Sequence, residues 1–432
     1  MEYMNDREMA HQSNPDREYR LLQERLDLDL NGAPASPAFT KILKLLFSPE
    51  EAAFARRLPA MPQSLSSLGN RFSLPQGELE KKLTELAHRG LVVDLEMKGE
   101  RYFTLAPVVI GFFEFTFMRK GADLPWKELA SLFDEYMAQD DRFMRGVFAG
   151  ETQTERALVH EEALPKDLGA HIEICDWERA SAIIKSKKLV AVSTCACRHK
   201  ALHLDKACNN EMDNCLSFDV AAKILIRNGL AKEISVDEGL DILQRAKEAG
   251  LCQNADNVKE DVNFICNCCR CCCGFVHAVR HFDLKGAIVS SNWLATVIEE
   301  KCVGCKKCEK ACPVEAIAVK DQKAQVSDHC IGCGVCFSPC KFEAIKMEPR
   351  PKRLFTPETM FDKLVLQAIE RGKLSDLLFS DMEKWSHRAL GRIARLIEHS
   401  PPTKALLAVK PLRSIFLKSM VGLAKLGPKP TV

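Results

Sequence analysis

The sequence predicts an α+β chain of several domains. Three observations carry that expectation: three helical stretches followed by a hairpin near the N-terminus, a long helix-rich middle crowded with cysteines, and a short cysteine unit that occurs twice before further helix. At 432 residues the chain is long enough for two to four cores. A net charge of +2 gives it no general attraction to nucleic acid or membrane. Its 20 cysteines are concentrated, since all but Cys175 lie between Cys195 and Cys340. The opening residues are charged and lack the apolar run of a secretory signal, and no window approaches a membrane span. The expected setting is therefore cytosolic, where clustered cysteines bind metal or do redox chemistry rather than form disulfides.

Residues 1–36 are polar and are expected to be flexible. From Pro37, "FTKILKLLF", "SLSSLGNRF" and "PQGELEKKLTELAHRGL" carry helical spacing, the last with Leu79, Leu83 and Leu86 on one face and Gly90 as its stop. "LVVDLEMKGERYFTL" alternates on either side of Lys98-Gly99, which predicts a hairpin. Three helices and a hairpin over 37–108 resemble a winged-helix domain. Its third helix balances Lys81, Lys82 and Arg89 against Glu78, Glu80 and Glu85, so it lacks the basic face that phosphate binding needs. A structural or protein-docking wing is favoured over a DNA reader.

Residues 109–292 read as a mostly helical, cysteine-rich domain, with helices at "PWKELASLFDEYM", "SFDVAAKILIRNGL" and "SVDEGLDILQRAKEAGL". The last opens with Ser235 and Glu238 in capping-box spacing. Residues 350–432 return to helix. The stretch from 402 carries Lys404, Lys410, Arg413, Lys418, Lys425 and Lys429 beside Leu412, Ile415, Phe416, Met420 and Leu423. A basic amphipathic helix of this kind can lie on the inner face of a membrane, in a partner's groove, or on its own domain.

Residues 293–349 hold the most specific pattern. "CVGCKKCEKACP" from Cys302 and "CIGCGVCFSPCK" from Cys330 share the spacing C-x2-C-x2-C-x3-C, and the cysteines and the following Glu-Ala-Ile recur at an offset of 28 residues. Structural zinc, which takes separated C-x2-C pairs, fits this poorly. The stretch resembles the bacterial two-cluster ferredoxin. That resemblance implies a 2[4Fe–4S] domain in which the fourth ligand of each cluster comes from the other repeat. Cys302, Cys305, Cys308 and Cys340 would hold one cluster, and Cys330, Cys333, Cys336 and Cys312 the other. Lys341 stands where the family pattern expects proline, which leaves ligation intact.

Ten further cysteines lie upstream: Cys195, Cys197, Cys208, Cys215, Cys266, Cys268, Cys269, Cys271, Cys272 and Cys273. They suffice for two more cubanes with two thiols to spare, or for one larger cluster, with zinc as the alternative. Adjacent cysteines point in different directions, so the six from 266 to 273 are expected to serve more than one centre. The C-x-C-R-H and C-N-C-C-x-C-C-C-G runs resemble a group of long iron–sulfur proteins of anaerobes. Cys175 and Cys252 read as isolated buried thiols, and His199, His203 and His277 as neighbours of the ligands rather than ligands.

No dinucleotide, P-loop or zinc-protease motif is present. The expected function is an iron–sulfur electron-transfer protein: a ferredoxin-like relay of two, and up to four, clusters. It would serve redox partner proteins of an anaerobic oxidoreductase system. The alternatives are a redox-sensing winged-helix regulator and a reductase with an open iron in the 195–273 region.

Overall fold

The computed structural model describes residues 16–97, 99–148, 150–165, 176–284, 286–351 and 354–378. Cys175 and the basic stretch from 402 lie outside these residues. The N-terminal unit starts earlier than the sequence suggests. Helix α1 (Arg17–Asp27) buries Tyr19, Leu22 and Leu26, which share one face, together with Arg25, which donates to the Leu58 carbonyl and to Asp29. The flexibility expected over 1–36 is thus corrected for residues 16–36, residues 1–15 lying outside those described: the apolar stripe is only three residues wide and hides in a charged composition.

Helices α2 (Pro37–Leu46) and α3 (Pro49–Ala55) follow, each with a serine N-cap and proline in the first turn. Strand β1 (Gln63–Ser64), helix α4 (Leu65–Phe72) and helix α5 (Gln76–His88) lead to β2 (Val92–Met97) and β3 (Glu100–Leu105), which pair antiparallel in a three-stranded sheet of order β1-β3-β2. Leu79, Leu83 and Leu86 of α5 are buried. Helices α6 (Phe113–Met118), α7 (Trp126–Asp134) and α8 (Asp141–Phe148) extend this core with Phe112, Phe113, Phe117 and Phe133.

The middle of the chain is not mostly helical. Strands β4 (Glu155–Leu158), β5 (Val190–Thr194), β6 (Asp213–Phe218), β7 (Ala231–Ile234), β8 (Cys252–Asp256), β9 (Phe264–Cys268) and β10 (Ile288–Val289) form one sheet of order β10-β4-β8-β9-β6-β5-β7. All pairings are antiparallel except β10 with β4. Helices α9 (Ala180–Lys185), α10 (Ala196–Leu202), α11 (Asp219–Arg227), α12 (Val236–Glu248) and α13 (Gly274–His281) pack around it, and the Ser235–Glu238 capping box of α12 is formed. The strands escaped the sequence reading because they are short and unalternating. Strand β8, Cys-Gln-Asn-Ala-Asp, is buried throughout although mostly polar, its polar atoms being satisfied in part inside the fold.

The cysteine repeat follows: β11 (Trp293–Val297), α14 (Lys307–Ala311), β12 (Ile317–Lys320), β13 (Lys323–Val326) and β14 (Ile345–Pro349), paired as two ribbons, β11 with β14 and β12 with β13. Helices α15 (Met360–Glu370) and α16 (Leu374–Leu378) do not form a separate region. Lys363 of α15 is buried against Asp256 of β8 at 3.0 Å, and Gln367 donates to the Thr152 carbonyl.

Candidate metal centres

In the repeat, each loop is shaped by a glycine that no other residue could replace cheaply. Gly304 and Gly332 stand at equivalent positions with φ of +65°, and a Cβ on either would fall within 2.6 Å of backbone oxygen: Gln322 O for one, Trp293 O for the other. Cys302, Cys305, Cys308 and Cys340 line one small cavity, and Cys312, Cys330, Cys333 and Cys336 line a second. The repeat extends to hydrogen bonds: the Ala316 amide donates to Cys312 Sγ at 3.2 Å and the Ala344 amide to Cys340 Sγ at 3.3 Å. N–H donors on sulfur favour its thiolate form and tune a cluster held there.

The two sites differ in exposure. Cys305 is exposed and Cys302 and Cys340 are half-buried, whereas all four cysteines of the second site are buried. Val303 and Phe342 stand out at the first site, 53% and 48% exposed.

Upstream, the sheet gathers the remaining cysteines. Cys195 lies between β5 and α10 as the N-cap of α10, Cys197 lies in the first turn of α10, Cys215 sits on β6, Cys266 and Cys268 sit on β9, and Cys273 immediately precedes α13. Neighbouring strands bring the sulfurs of Cys195, Cys215, Cys266, Cys268, Cys273 and Cys197 into a ring. Each neighbours the next closely enough to shift its acidity, and Cys197 closes on Cys195. A second group forms outside it. The sulfurs of Cys208, Cys269, Cys271 and Cys272 all lie within 4.8 Å of one another, as metal ligands would. The ten upstream cysteines therefore divide six and four, and adjacent Cys268 and Cys269 face different centres.

Crowding drives the thiols' acidities apart. Hydrogen bonds from Cys195 and Cys266 bring Cys215 down to about 6, those from Cys266 and Cys273 bring Cys268 to about 5, and one from Cys272 brings Cys269 to about 4. The donors move the other way: hydrogen bonding and burial push Cys266 and Cys273 well up. So many thiols cannot all ionise without a cation among them. The donor set fits iron–sulfur binding: thiolates packed closely, with buried counter-charge.

That counter-charge is Arg198, which the sequence reading passed over although it follows Cys197 directly. It is fully buried and donates to Glu211 O, Asn214 Oδ1 (2.6 Å) and Asn267 O (2.7 Å). Burial works against its charge, but Cys195, Cys269, Cys215 and Cys208, drawn from both thiol groups, hold its pKa far above the ordinary value. His199 and His203 serve a packing role, bonded to each other at 3.1 Å and, for His199, to Phe117 O at 2.7 Å. His277 packs against His281 with the rings tilted.

Cys252 is buried as expected but not isolated. Its thiol donates to Asn254 Oδ1 at 3.4 Å and neighbours Cys333 of the repeat, which lowers the pKa of Cys333; across the β8–β9 ladder its partner is Cys268. The His160 amide donates to Cys333 O at 2.9 Å, and Arg270 and Arg280 both bind Glu315. The repeat is thus clamped to the sheet on the side of its buried site.

A cavity of about 610 Å³ opens above the six-thiol ring. Glu114 and Glu155 face it. Burial pushes Glu114 up to about 8, opposed by the Gly111 N–H, and raises Glu155 well above the carboxylate range. Glu114 could have been noticed in the sequence as the lone charge within "VVIGFFEFTFM".

The 4Fe-4S dicluster domain family matches residues 295–347. No curated protein and no solved structure matches the chain. Residues 295–347 are a ferredoxin-type iron–sulfur module, and with the cysteine group beside it the chain has an iron–sulfur electron-transfer role. No helix among the described residues is long and apolar enough to cross a membrane.

Proposed function

We propose that the chain is a multi-centre electron-transfer protein in which the ferredoxin module exchanges electrons with iron–sulfur centres held by the upstream thiols. In this reading Cys302, Cys305, Cys308 and Cys340 hold one [4Fe–4S] cluster, and Cys330, Cys333, Cys336 and Cys312 a second. Cys208, Cys269, Cys271 and Cys272 hold a third centre, and the six-thiol ring a fourth. The observation that carries it is the contact between Cys252 and Cys333, with Cys268 across the ladder from Cys252. A short path through Cys252 and the β8–β9 ladder then joins the buried module site to the ring. Electrons enter at the exposed site, where Val303 and Phe342 give a redox partner protein an apolar contact.

When bound, the clusters supply one-electron chemistry, and the polypeptide's part is to space them, exclude water and set their potentials. An anaerobic oxidoreductase system is the natural client for such a relay. The N-terminal unit, taken as winged-helix-like, acts as a dock rather than a DNA reader. Asp94 of its second strand is fully buried and binds Arg101 at 2.9 Å and, from the middle of the chain, Arg227 at 3.2 Å and Asn228 at 2.8 Å. A wing pinned in this way is not free to track a phosphate backbone. The residues from 402 are proposed to rest on a partner or on the membrane's inner face.

Iron and acid-labile sulfide counted on anaerobically purified protein test this reading. More than about twelve irons per chain are expected, against about eight if only the module is loaded. Colourless or zinc-only protein overturns it. Cys252→Val should leave the iron count unchanged while slowing electron transfer from module to ring, followed by freeze-quench EPR.

A further inference from the structure

The thiols form only one end of the large cavity. Its other walls come from three separate parts of the chain: Val93, Ile110 and Phe115 from the N-terminal unit, Leu225 and Phe264 from the middle, and Met360 from α15. An iron–sulfur centre in the ring would occupy the inner end and leave the apolar outer part open. Met61 and Leu364 line this outer part and are 40% and 37% exposed, so the cavity reaches the surface through an apolar mouth.

We propose that the cavity is a binding site for one uncharged, mostly apolar small molecule bearing a hydrogen-bond acceptor such as a carbonyl oxygen, seated against the six-thiol ring and anchored by Glu155. Its volume of about 610 Å³ lies in the range of small-molecule sites. Charge selects the ligand class. Asp29 in the wall is bound by Arg25 at 2.9 Å, Asp256 by Lys363 at 3.0 Å, and Glu114 accepts from the Gly111 amide at 2.8 Å. A charged ligand would therefore meet an apolar wall with no counter-charge free to pair with it, at a desolvation cost nothing returns.

Three residues of the wall keep a buried polar atom without a partner among the described residues: Asp29 Oδ2, Asn267 Oδ1 and Glu155 Oε2. Asp29 and Asn267 are held through their other atoms, by Arg25 and the Asn214 carbonyl, which leaves Glu155 apart. Glu155 is 2% exposed, lines the cavity, and its Oε2 has no hydrogen-bond partner among the described residues. Buried polar atoms are nearly always satisfied, so an orphan facing a cavity marks the place of a ligand atom. Burial keeps this carboxyl protonated, which makes it a donor to a carbonyl oxygen.

Equilibrium dialysis under anaerobic conditions tests this on full-length protein whose iron and sulfide have been counted. The probes are 2-acetylnaphthalene, naphthalene and 2-naphthoate, which share a ring system and differ in acceptor and charge. One equivalent of the ketone should bind, naphthalene about tenfold more weakly for want of one hydrogen bond, and the anion more weakly still. Glu155→Gln should retain ketone binding, and Glu155→Leu should reduce it about tenfold. Ala221→Trp, which fills the cavity, should abolish it, and Leu364→Trp at the half-exposed mouth should weaken it without burdening the fold. Absence of saturable ketone binding, preference for the anion, or indifference to both tryptophans overturns the proposal. Protein that binds ketone but carries no iron upstream would sink the electron-relay reading and leave this one standing.

Discussion

The ferredoxin module and the upstream thiol region both collect cysteines, but they do so by opposite means. In the module, spacing does the work. Three cysteines at x2 intervals curl one loop, a left-handed glycine lets the backbone pass, and only Cys312 and Cys340 cross between repeats. Upstream, the ring draws on one strand end, two further strand positions and three helix-start positions, separated by up to 78 residues. The first is a local solution and the second is a product of the sheet. A locally coded site should survive damage elsewhere in the chain, and an assembled site should not.

Arg198→Ala gives the largest test of that difference. Removing a buried cation from among thiolates should cost about 3–5 kcal/mol and empty the upstream centres while the module keeps about eight irons. Lysine should not restore them, because it cannot reproduce three directed bonds from one planar fork. The measurement is chemical denaturation together with an iron count. Equal loss from both regions would mean that the module is no more locally coded than the ring.

Leu26→Ala probes whether α1 belongs to the core. Leu26 is fully buried, so truncation should cost about 2–5 kcal/mol in the same denaturation experiment. A cost near zero would return residues 16–36 to the flexible segment that composition suggests.

Glu114→Gln sharpens the comparison through pH. The native carboxyl keeps its proton up to about 8, whereas in the unfolded chain it gives it up near 4.5. The folded state binds the extra proton, so this contribution is complete below 4.5 and is lost as pH rises through 8, at up to about 1.4 kcal/mol per pH unit. Glutamine should flatten that part of the stability profile between pH 5 and 8. An unchanged slope would mean that the site is wet.

The smallest effect is expected at Lys301, whose pairing with Glu343 at 3.7 Å lies on the surface of the module. Lys301→Ala should change stability by less than about 1 kcal/mol and leave the iron count alone. A larger effect would show that the module depends on more than its loops.

Legibility followed the same division. The module could be read because each ligand's position follows from its neighbours in the chain, and the repeat at 28 residues doubled the signal. The β2–β3 hairpin and the α12 capping box were readable for the same reason. The seven-stranded sheet was not: β8 buries Gln253, Asn254 and Asp256, and a buried polar strand lacks the alternation by which strands are recognised. Cys252 carried no local motif, and Arg198 looked like any surface arginine until its surroundings were known.

By itself, the sequence determined that thiolates would hold iron and sulfide in this chain, because C-x2-C-x2-C-x3-C spacing prescribes loop geometry without reference to anything distant. Only the tertiary structure decided how ten upstream cysteines divide into six and four, which arginine stands between them, and that Cys252 joins them to the module. Those are outcomes of strand order. Strand order is settled by which buried faces fit together across the whole fold, a long-range balance that no short stretch of residues encodes.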